Sequence, residues 1–402
     1  MIVRAMSRTV YAVAVLAAAL AASTARTVRF PNSFARAHWL IDYRFGFIKR
    51  GLPGAMLVRL SRLGLLHLNK QTIFTISIAM FVALCAGLLA LGGRVLWKTG
   101  WSTGLFLALG AFFTSAYVVT VAHLMGYFDH VVALLTFAAM WCAMRRRFWT
   151  MGILLTVAVL THETVVLTGV PVVLLSIPRD VWKTRDAMMR AMAPMLMPCA
   201  AGLSILLSEQ SLAHRMQLRA DLVRRLSAFP WITGDMNLFV PEWITTRVLD
   251  HVKEEAHTFP WRIGNPDFLI PIVPTALALW MVAGALSGGR RWWMIATACA
   301  ILLPLLLHFV AWDTAREWTY PLFVAIACVW VTAETFAAPP APLKFSRVLL
   351  VVAAAAIAIN LFVHYPLLDG QYDKFAPVAR LAVYAPFLAG TFFLWRSHGA
   401  HG

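Results

Sequence analysis

The feature that most constrains this chain is a succession of apolar runs about 20 residues long, with short basic loops closing alternate ends. A helix needs roughly 20 apolar residues to cross a hydrocarbon core about 30 Å thick. Lys and Arg collect in the loops that stay cytoplasmic. Arg94 and Lys98, the Arg145-Arg146-Arg147 triplet, Arg179 with Lys183 and Arg185, Arg290-Arg291, Lys344 with Arg347, and Arg396 all fall on that side under one topology. Composition agrees: 60% of residues are apolar and 13% charged, against about 45–50% and about 25% in soluble domains. A net charge of +17 would point to nucleic acid in a soluble protein. Here the basic loops account for it, and no nucleic-acid partner is expected.

These runs predict an all-α, polytopic membrane helix bundle of about eleven spans, set in a bacterial inner membrane with both termini cytoplasmic. One stretch is anomalous. Residues 148–177 are too long for one span and too short for two, and both flanks are basic. His162-Glu163 sits at the middle, with Gly169 and Pro171 soon after. A broken pair of half-length helices meeting at His162-Glu163 satisfies these facts, and so does one long tilted helix with a buried pair. A break at membrane depth is tolerated only where it faces protein or a water-filled cavity.

The predicted organisation is an N-terminal membrane block over 1–208, containing a first outer loop at 26–71, then an outer loop subdomain over 209–267, then a C-terminal membrane block over 268–402. The 209–267 segment mixes charges of both signs with Pro230, Pro241, Pro260, Pro266 and several aromatics, so it reads as a small folded cap. Arg4 and Arg8, the apolar stretch 10–22 and Ser23-Thr24-Ala25 fit either a cleavable signal peptide or an uncleaved first helix. Both readings export the segment after Ala25. The five cysteines lie singly within apolar runs, giving neither a disulfide framework nor a thiolate metal site.

Ionisable groups near a span are costly and usually functional. In this topology they crowd the outer ends: Asp42 and Arg44; His123, Asp129 and His130; His162-Glu163; His308, Asp313, Arg316 and Glu317; His364, Asp369 and Asp373. Several have plain accounts. Asp369 and Asp373 read as solvated turn residues, His364 as interfacial, Asp129 as a helix cap, and Asp313 with Arg316 as a pair three residues apart. His162-Glu163 resists such an account, because a carboxylate at that depth needs a partner or water. The segment 42–54, Asp-Tyr-Arg-Phe-Gly-Phe-Ile-Lys-Arg-Gly-Leu-Pro-Gly, places Arg44, Lys49 and Arg50 outside, against the charge rule. A bound phosphate or pyrophosphate explains this, since Arg matches its oxygens bidentately and glycines let backbone N–H groups approach it. Attraction to anionic headgroups is the other explanation.

An acidic residue in the first outer loop, polar clusters at later outer ends and a sizeable outer loop between two membrane blocks resemble the GT-C superfamily of membrane glycosyltransferases in layout over most of the chain. The segment 43–54, Thr161-His162-Glu163 and the His308…Trp312-Asp313…Arg316-Glu317-Trp318 cluster also resemble bacterial surface-polysaccharide membrane proteins of the EpsG-like kind. The resemblance implies a polyprenyl-phosphate or polyprenyl-diphosphate sugar donor entering from the membrane lipid, and a glycan or other outer-surface acceptor. It implies Asp42 as general base, with Glu163 and His162 at the catalytic cavity floor. Arg44, Lys49, Arg50 and Arg316 would hold the donor phosphate, and Asp129, His130, His308 and Asp313 would position substrate. The first outer loop has no Asp-Xaa-Asp, so no motif supports a divalent metal and no cofactor is assigned. Three rivals stay open. An O-antigen-type polysaccharide polymerase or ligase would rely on outer-loop Arg and His. A transporter or flippase of lipid-linked sugars would use the broken helix as a midplane site. A membrane-bound acyltransferase would use His162 or His130 as base.

Overall fold

The computed structural model describes residues 2–45, 47–207, 212–309, 313–336, 346–368, 371, 373 and 375–399; Trp312, Lys344 and Asp369 lie outside them. Among the described residues the regular structure is helical, with no strand. The first half comprises α1 (Ile2–Thr27), α2 (Ser33–His38), α3 (Gly51–Arg62), α4 (Lys70–Thr99), α5 (Thr103–Phe113), α6 (Ala116–His123), α7 (Asp129–Met144), α8 (Phe148–Thr161), α9 (Val165–Thr168), α10 (Val170–Leu175), α11 (Arg185–Met192) and α12 (Leu196–Leu207). The second half comprises α13 (Leu212–Ser227), α14 (Met236–Thr245), α15 (Val248–Glu255), α16 (Phe259–Gly264), α17 (Pro266–Leu286), α18 (Arg291–Leu302), α19 (Thr314–Glu317), α20 (Tyr320–Phe336), α21 (Arg347–Phe362) and α22 (Pro377–Gly399).

Among the described residues, eight segments are long and apolar enough to cross a membrane: Arg8–Thr27, Lys70–Thr99, Thr103–His123, Arg185–Leu207, Pro266–Leu286, Arg291–Phe309, Thr314–Phe336 and Pro377–Arg396. That is the make-up of a multi-pass membrane protein. The remaining expected spans coincide with shorter apolar helices, at Asp129–Met144, Phe148–Thr161, Val165–Leu175 and Arg347–Phe362.

The anomalous stretch is broken, not continuous. Helix α8 stops at Thr161 because His162 turns to extended backbone, with φ −160° and ψ 121°. Gly169 separates α9 from α10 with helical backbone, and Pro171 stands in the first turn of α10, where a missing N–H costs nothing.

Helix α1 is packed into the bundle against α4, α5, α6 and α22. Ser23 Oγ donates to the Phe113 carbonyl at 2.7 Å, and Thr27 Oγ1 to that of Val119 at 2.6 Å. A large apolar core joins this helix to most of the others.

A second core joins the segments expected as the first outer loop and the outer loop subdomain. Leu40, Ile41, Ile48 and Leu57 meet Leu218, Leu222 and Leu226 of α13, together with Ile232, Val240 and Ile244. The α13 leucines recur every fourth residue and so share one face. Segment 42–54 is shaped by this packing. A Cβ on Gly54 would lie 1.8 Å from the Ile41 carbonyl oxygen, and one on Gly51 2.6 Å from the Tyr43 ring. Their absence of side chain lets α3 lie against residues 41–43, so these two glycines serve close packing where an anion cradle was expected.

Candidate functional site

A cavity of about 500 Å³ opens where five stretches of chain converge. Asn32, Ser33, Phe34 and Arg50 come from the first interhelical segment, and Thr233, Met236, Phe239 and Trp243 from the α13–α14 region. Tyr127 precedes α7, Asp313 and Arg316 lie at α19, and Leu368 comes after α21. Arg50 and Arg316 thus reach one space from positions 266 residues apart in sequence (316 − 50).

Arg50 is held hard. It is the residue before α3 and has left-handed backbone, φ 62°, which is unfavourable for a side chain with a Cβ. Its Nη2 donates to Glu163 Oε1 at 2.6 Å and its Nε to Oε2 at 3.1 Å, a fork-to-carboxylate pair. Its guanidinium also lies 4.1 Å from the centre of the Trp243 ring. The helix break therefore delivers Glu163 to the cation that lines the cavity. The sequence had asked for such a partner.

Arg316 sits between two carboxylates. Its Nε is 3.1 Å from Asp313 Oδ2 and its Nη1 3.8 Å from Asp129 Oδ2. Asp313 also caps α19 by accepting from the Arg316 backbone N–H at 3.3 Å. Asp129, expected to cap α7, instead accepts from Tyr320 Oη at 2.6 Å. Its role is a tertiary contact.

Two neighbours complete the electrostatics. Lys49 is buried, donates from Nζ to the Thr246 carbonyl at 3.1 Å and lies 4.8 Å from the centre of the Trp243 ring. Burial pulls its ammonium down to about 8, with Arg50 adding to the effect and Glu163 opposing it. Burial likewise pulls His38 down to about 3, reinforced by Arg50. The His38 ring is therefore neutral, with Nδ1 at the Phe34 carbonyl, 2.9 Å away, and its buried Nε2 making no hydrogen bond among the described residues. His162 Nε2 is in the same condition, while its Nδ1 faces Thr164 Oγ1 at 3.0 Å.

No family model matches the chain, and no curated protein or solved structure matches it either. What the cavity can bind is set by its lining. Two guanidiniums suit the oxygens of a phosphate or pyrophosphate. Four aromatic rings suit the apolar faces of a sugar, and one carboxylate can accept a proton or a hydroxyl hydrogen bond.

The other expected site residues lie elsewhere. Asp42 does not line the cavity. It is buried, with Arg44 Nη2 at 2.7 Å and Arg225 Nη2 at 3.1 Å from Oδ2, and it also accepts from the Arg44 backbone N–H at 2.9 Å. Arg225 in turn donates to the Leu40 carbonyl at 2.6 Å. A carboxylate so engaged fastens the residues around it to α13, and Arg44 is its forked partner. His130 directs both ring nitrogens at backbone carbonyls, those of Tyr127 at 3.2 Å and Val121 at 2.9 Å. His308 is fully buried with Nδ1 2.8 Å from Glu317 Oε2. Neither lines the cavity. Among the described residues no group of three His, Cys, Asp or Glu side chains is placed to hold a metal ion.

Asp373, expected to be a solvated turn residue, is buried. It pairs with Arg26 and lies 3.5 Å from Arg380 Nε. The loop after α21 folds back onto the end of α1, which local sequence does not reveal. Trp243, His38 and Arg225 carried no sequence signal of their own either; only the aromatic interleaving of 209–267 marked the region.

Proposed function

We propose that the protein is a membrane glycosyltransferase of the GT-C-like kind. It would move a sugar from a polyprenyl-phosphate-type donor to a glycan or other acceptor on the outer face of a bacterial inner membrane. The observation that carries this is the cavity joining Arg50, Arg316 and Asp313 with Phe34, Tyr127, Phe239 and Trp243. Its apolar lining comes from the second core and from the small cluster of Tyr127 and Leu368, and in this proposal a donor head group would meet Arg50, Arg316 and Asp313 there. The about eleven spans and the outward orientation of the 209–267 cap belong to this same proposal.

In the step envisaged, the acceptor hydroxyl attacks the anomeric carbon and the bond from that carbon to the phosphate oxygen breaks. The hydroxyl proton passes to the Asp313 carboxylate, and the negative charge growing on the leaving phosphate is met by Arg50 and Arg316. Before donor binds, Glu163 and the pair Asp313 and Asp129 balance those two cations. Asp42, fastened by Arg44 and Arg225, is given no part in the chemistry.

That placement of Asp42 favours a second reading, an O-antigen-type polymerase or ligase that relies on arginine instead of a carboxylate base. Purified full-length protein is incubated with a radiolabelled polyprenyl-diphosphate sugar and acceptor glycan, and Asp313→Asn is compared with the unaltered chain. A loss of about a hundredfold or more supports Asp313 as base. Near-normal transfer favours the arginine-based reading. Label crossing a proteoliposome without any covalent product would instead sink both in favour of a flippase.

A further inference from the structure

Helix α10 leads away from Glu163 to the opposite, basic end of the broken segment, where a second cavity of about 580 Å³ opens. Pro171 and Leu174 line one side of it, and Trp293, Ala296, Ala300 and Leu303 the other. The spacing of the latter four, three then four then three, places them in one stripe along α18 and its continuation. Ten residues at 1.5 Å each give a stripe of about 15 Å. That is half of a hydrocarbon core of about 30 Å, the depth of a single leaflet.

The head of this groove is cationic. Arg179 lines it, and the guanidiniums of Arg179 and Arg290 each lie 4.8 Å from the centre of the Phe336 ring. Both arginines are exposed, and neither pairs with a carboxylate among the described residues; Asp180, next in sequence, is taken by Arg146 at 2.5 Å. Trp182, 44% exposed, stands beside them with Trp293, as indoles do at the level of lipid headgroups. Arg179 and Arg290 at the mouth thus favour an anion, and the apolar residues below them favour a hydrocarbon chain.

We propose that this groove binds one anionic glycerophospholipid, its phosphate on Arg179 and Arg290 and one acyl chain along α18. The inference stands apart from the proposed transfer reaction, because it uses neither the Arg50–Arg316 cavity nor any residue in it. Two guanidiniums without a counter-charge select an anionic over a zwitterionic headgroup. A lipid seated there braces the α9–α10 segment, whose far end carries Glu163.

The full chain in neutral detergent is titrated with phosphatidylglycerol or with phosphatidylcholine of the same acyl chains, and read by melting temperature and by native mass spectrometry. Phosphatidylglycerol raises the melting temperature and leaves one lipid retained per chain; phosphatidylcholine does neither to a comparable degree. The double variant Arg179→Gln/Arg290→Gln, at exposed positions, loses this preference. Cys299→Trp, at an exposed residue lining the groove, reduces retention of the lipid. Equal effects of the two lipids overturn the proposal, as does a preference that survives the double variant or retention untouched by Cys299→Trp. Displacement of phosphatidylglycerol by an equal concentration of polyprenyl phosphate overturns it too, by making the groove a donor site.

Discussion

Among the described residues, the buried arginine–carboxylate cluster at Arg26 and Asp373 differs from the one at Arg50 and Arg316 in what surrounds it. Around Arg26, Asp373 and Arg380 every donor has an acceptor. Arg26 adds the Asn360 carbonyl at 2.9 Å and Tyr384 at 3.1 Å to its carboxylate, and Arg380 adds the carbonyls of Phe375 at 3.0 Å and Val363 at 2.8 Å. Around Arg50 and Arg316 the same residue types border open space, and polar atoms remain unused: His38 Nε2, His162 Nε2 and Asp129 Oδ2 have no hydrogen-bond partner among the described residues. Buried charge in the first cluster ties α1 to the loop before α22. In the second it is left available to a ligand. Ionisable residues in a membrane protein therefore divide by the company they keep, not by their type.

The comparison can be broken most severely at the closed cluster. Asp373→Asn leaves two buried guanidiniums without their carboxylate and should cost about 3–5 kcal/mol of stability. A large fall in melting temperature should accompany unchanged transfer per folded molecule. The open cluster should answer in the opposite way. Arg316→Lys keeps the charge but loses the fork, and transfer should fall by about 10²-fold, roughly 2.7 kcal/mol, with a much smaller change in melting temperature. If both variants lose stability equally and neither is selective for activity, the distinction between the clusters fails.

A finer test uses Lys49. With its ammonium pulled down to about 8, the native state holds the proton less well than the unfolded chain does. Unfolded lysine keeps its proton to about 10.4, so stability rises as pH goes from about 8 to that value, by up to about 3 kcal/mol, and is flat in this respect below 8. Lys49→Met should remove that rise in a melting series across pH. In the same window the unaltered protein should bind an anionic donor more weakly, as the positive charge beside Trp243 disappears. The smallest effect on activity is expected at Asp42. Asp42→Asn should hold transfer within about tenfold, under roughly 1.4 kcal/mol, while loosening the hold of Arg44 and Arg225. A loss of transfer as large as that of Arg316→Lys would restore Asp42 to the chemistry.

Much of this was legible in the sequence, for particular reasons. Apolar length and basic punctuation predict an all-helical chain of apolar spans, because crossing a bilayer leaves the backbone little choice. The break at His162-Glu163 was readable as one of two options because 148–177 fits no whole number of spans, and the extended His162 decides between them. The demand that Glu163 have a partner was readable from the cost of a lone buried carboxylate, and Arg50 meets it. What could not be read was which carboxylate meets which arginine. Asp42 and Asp313 both looked like site residues, yet Asp42 is clasped by Arg225 from 183 positions away (225 − 42), and Asp313 opens on the cavity.

The sequence by itself determined that this is a helical membrane protein with its ionisable residues gathered near the ends of its apolar runs. Those properties come from local hydropathy and from the cost of burying charge. Only the tertiary structure decided that the segments around 40 and 220 share a core, that Asp373 is buried, and that Arg50, Arg316 and Asp313 face one space. Side-chain pairing across such distances depends on how helices pack, and a periodic pattern along the chain carries no information about which faces meet.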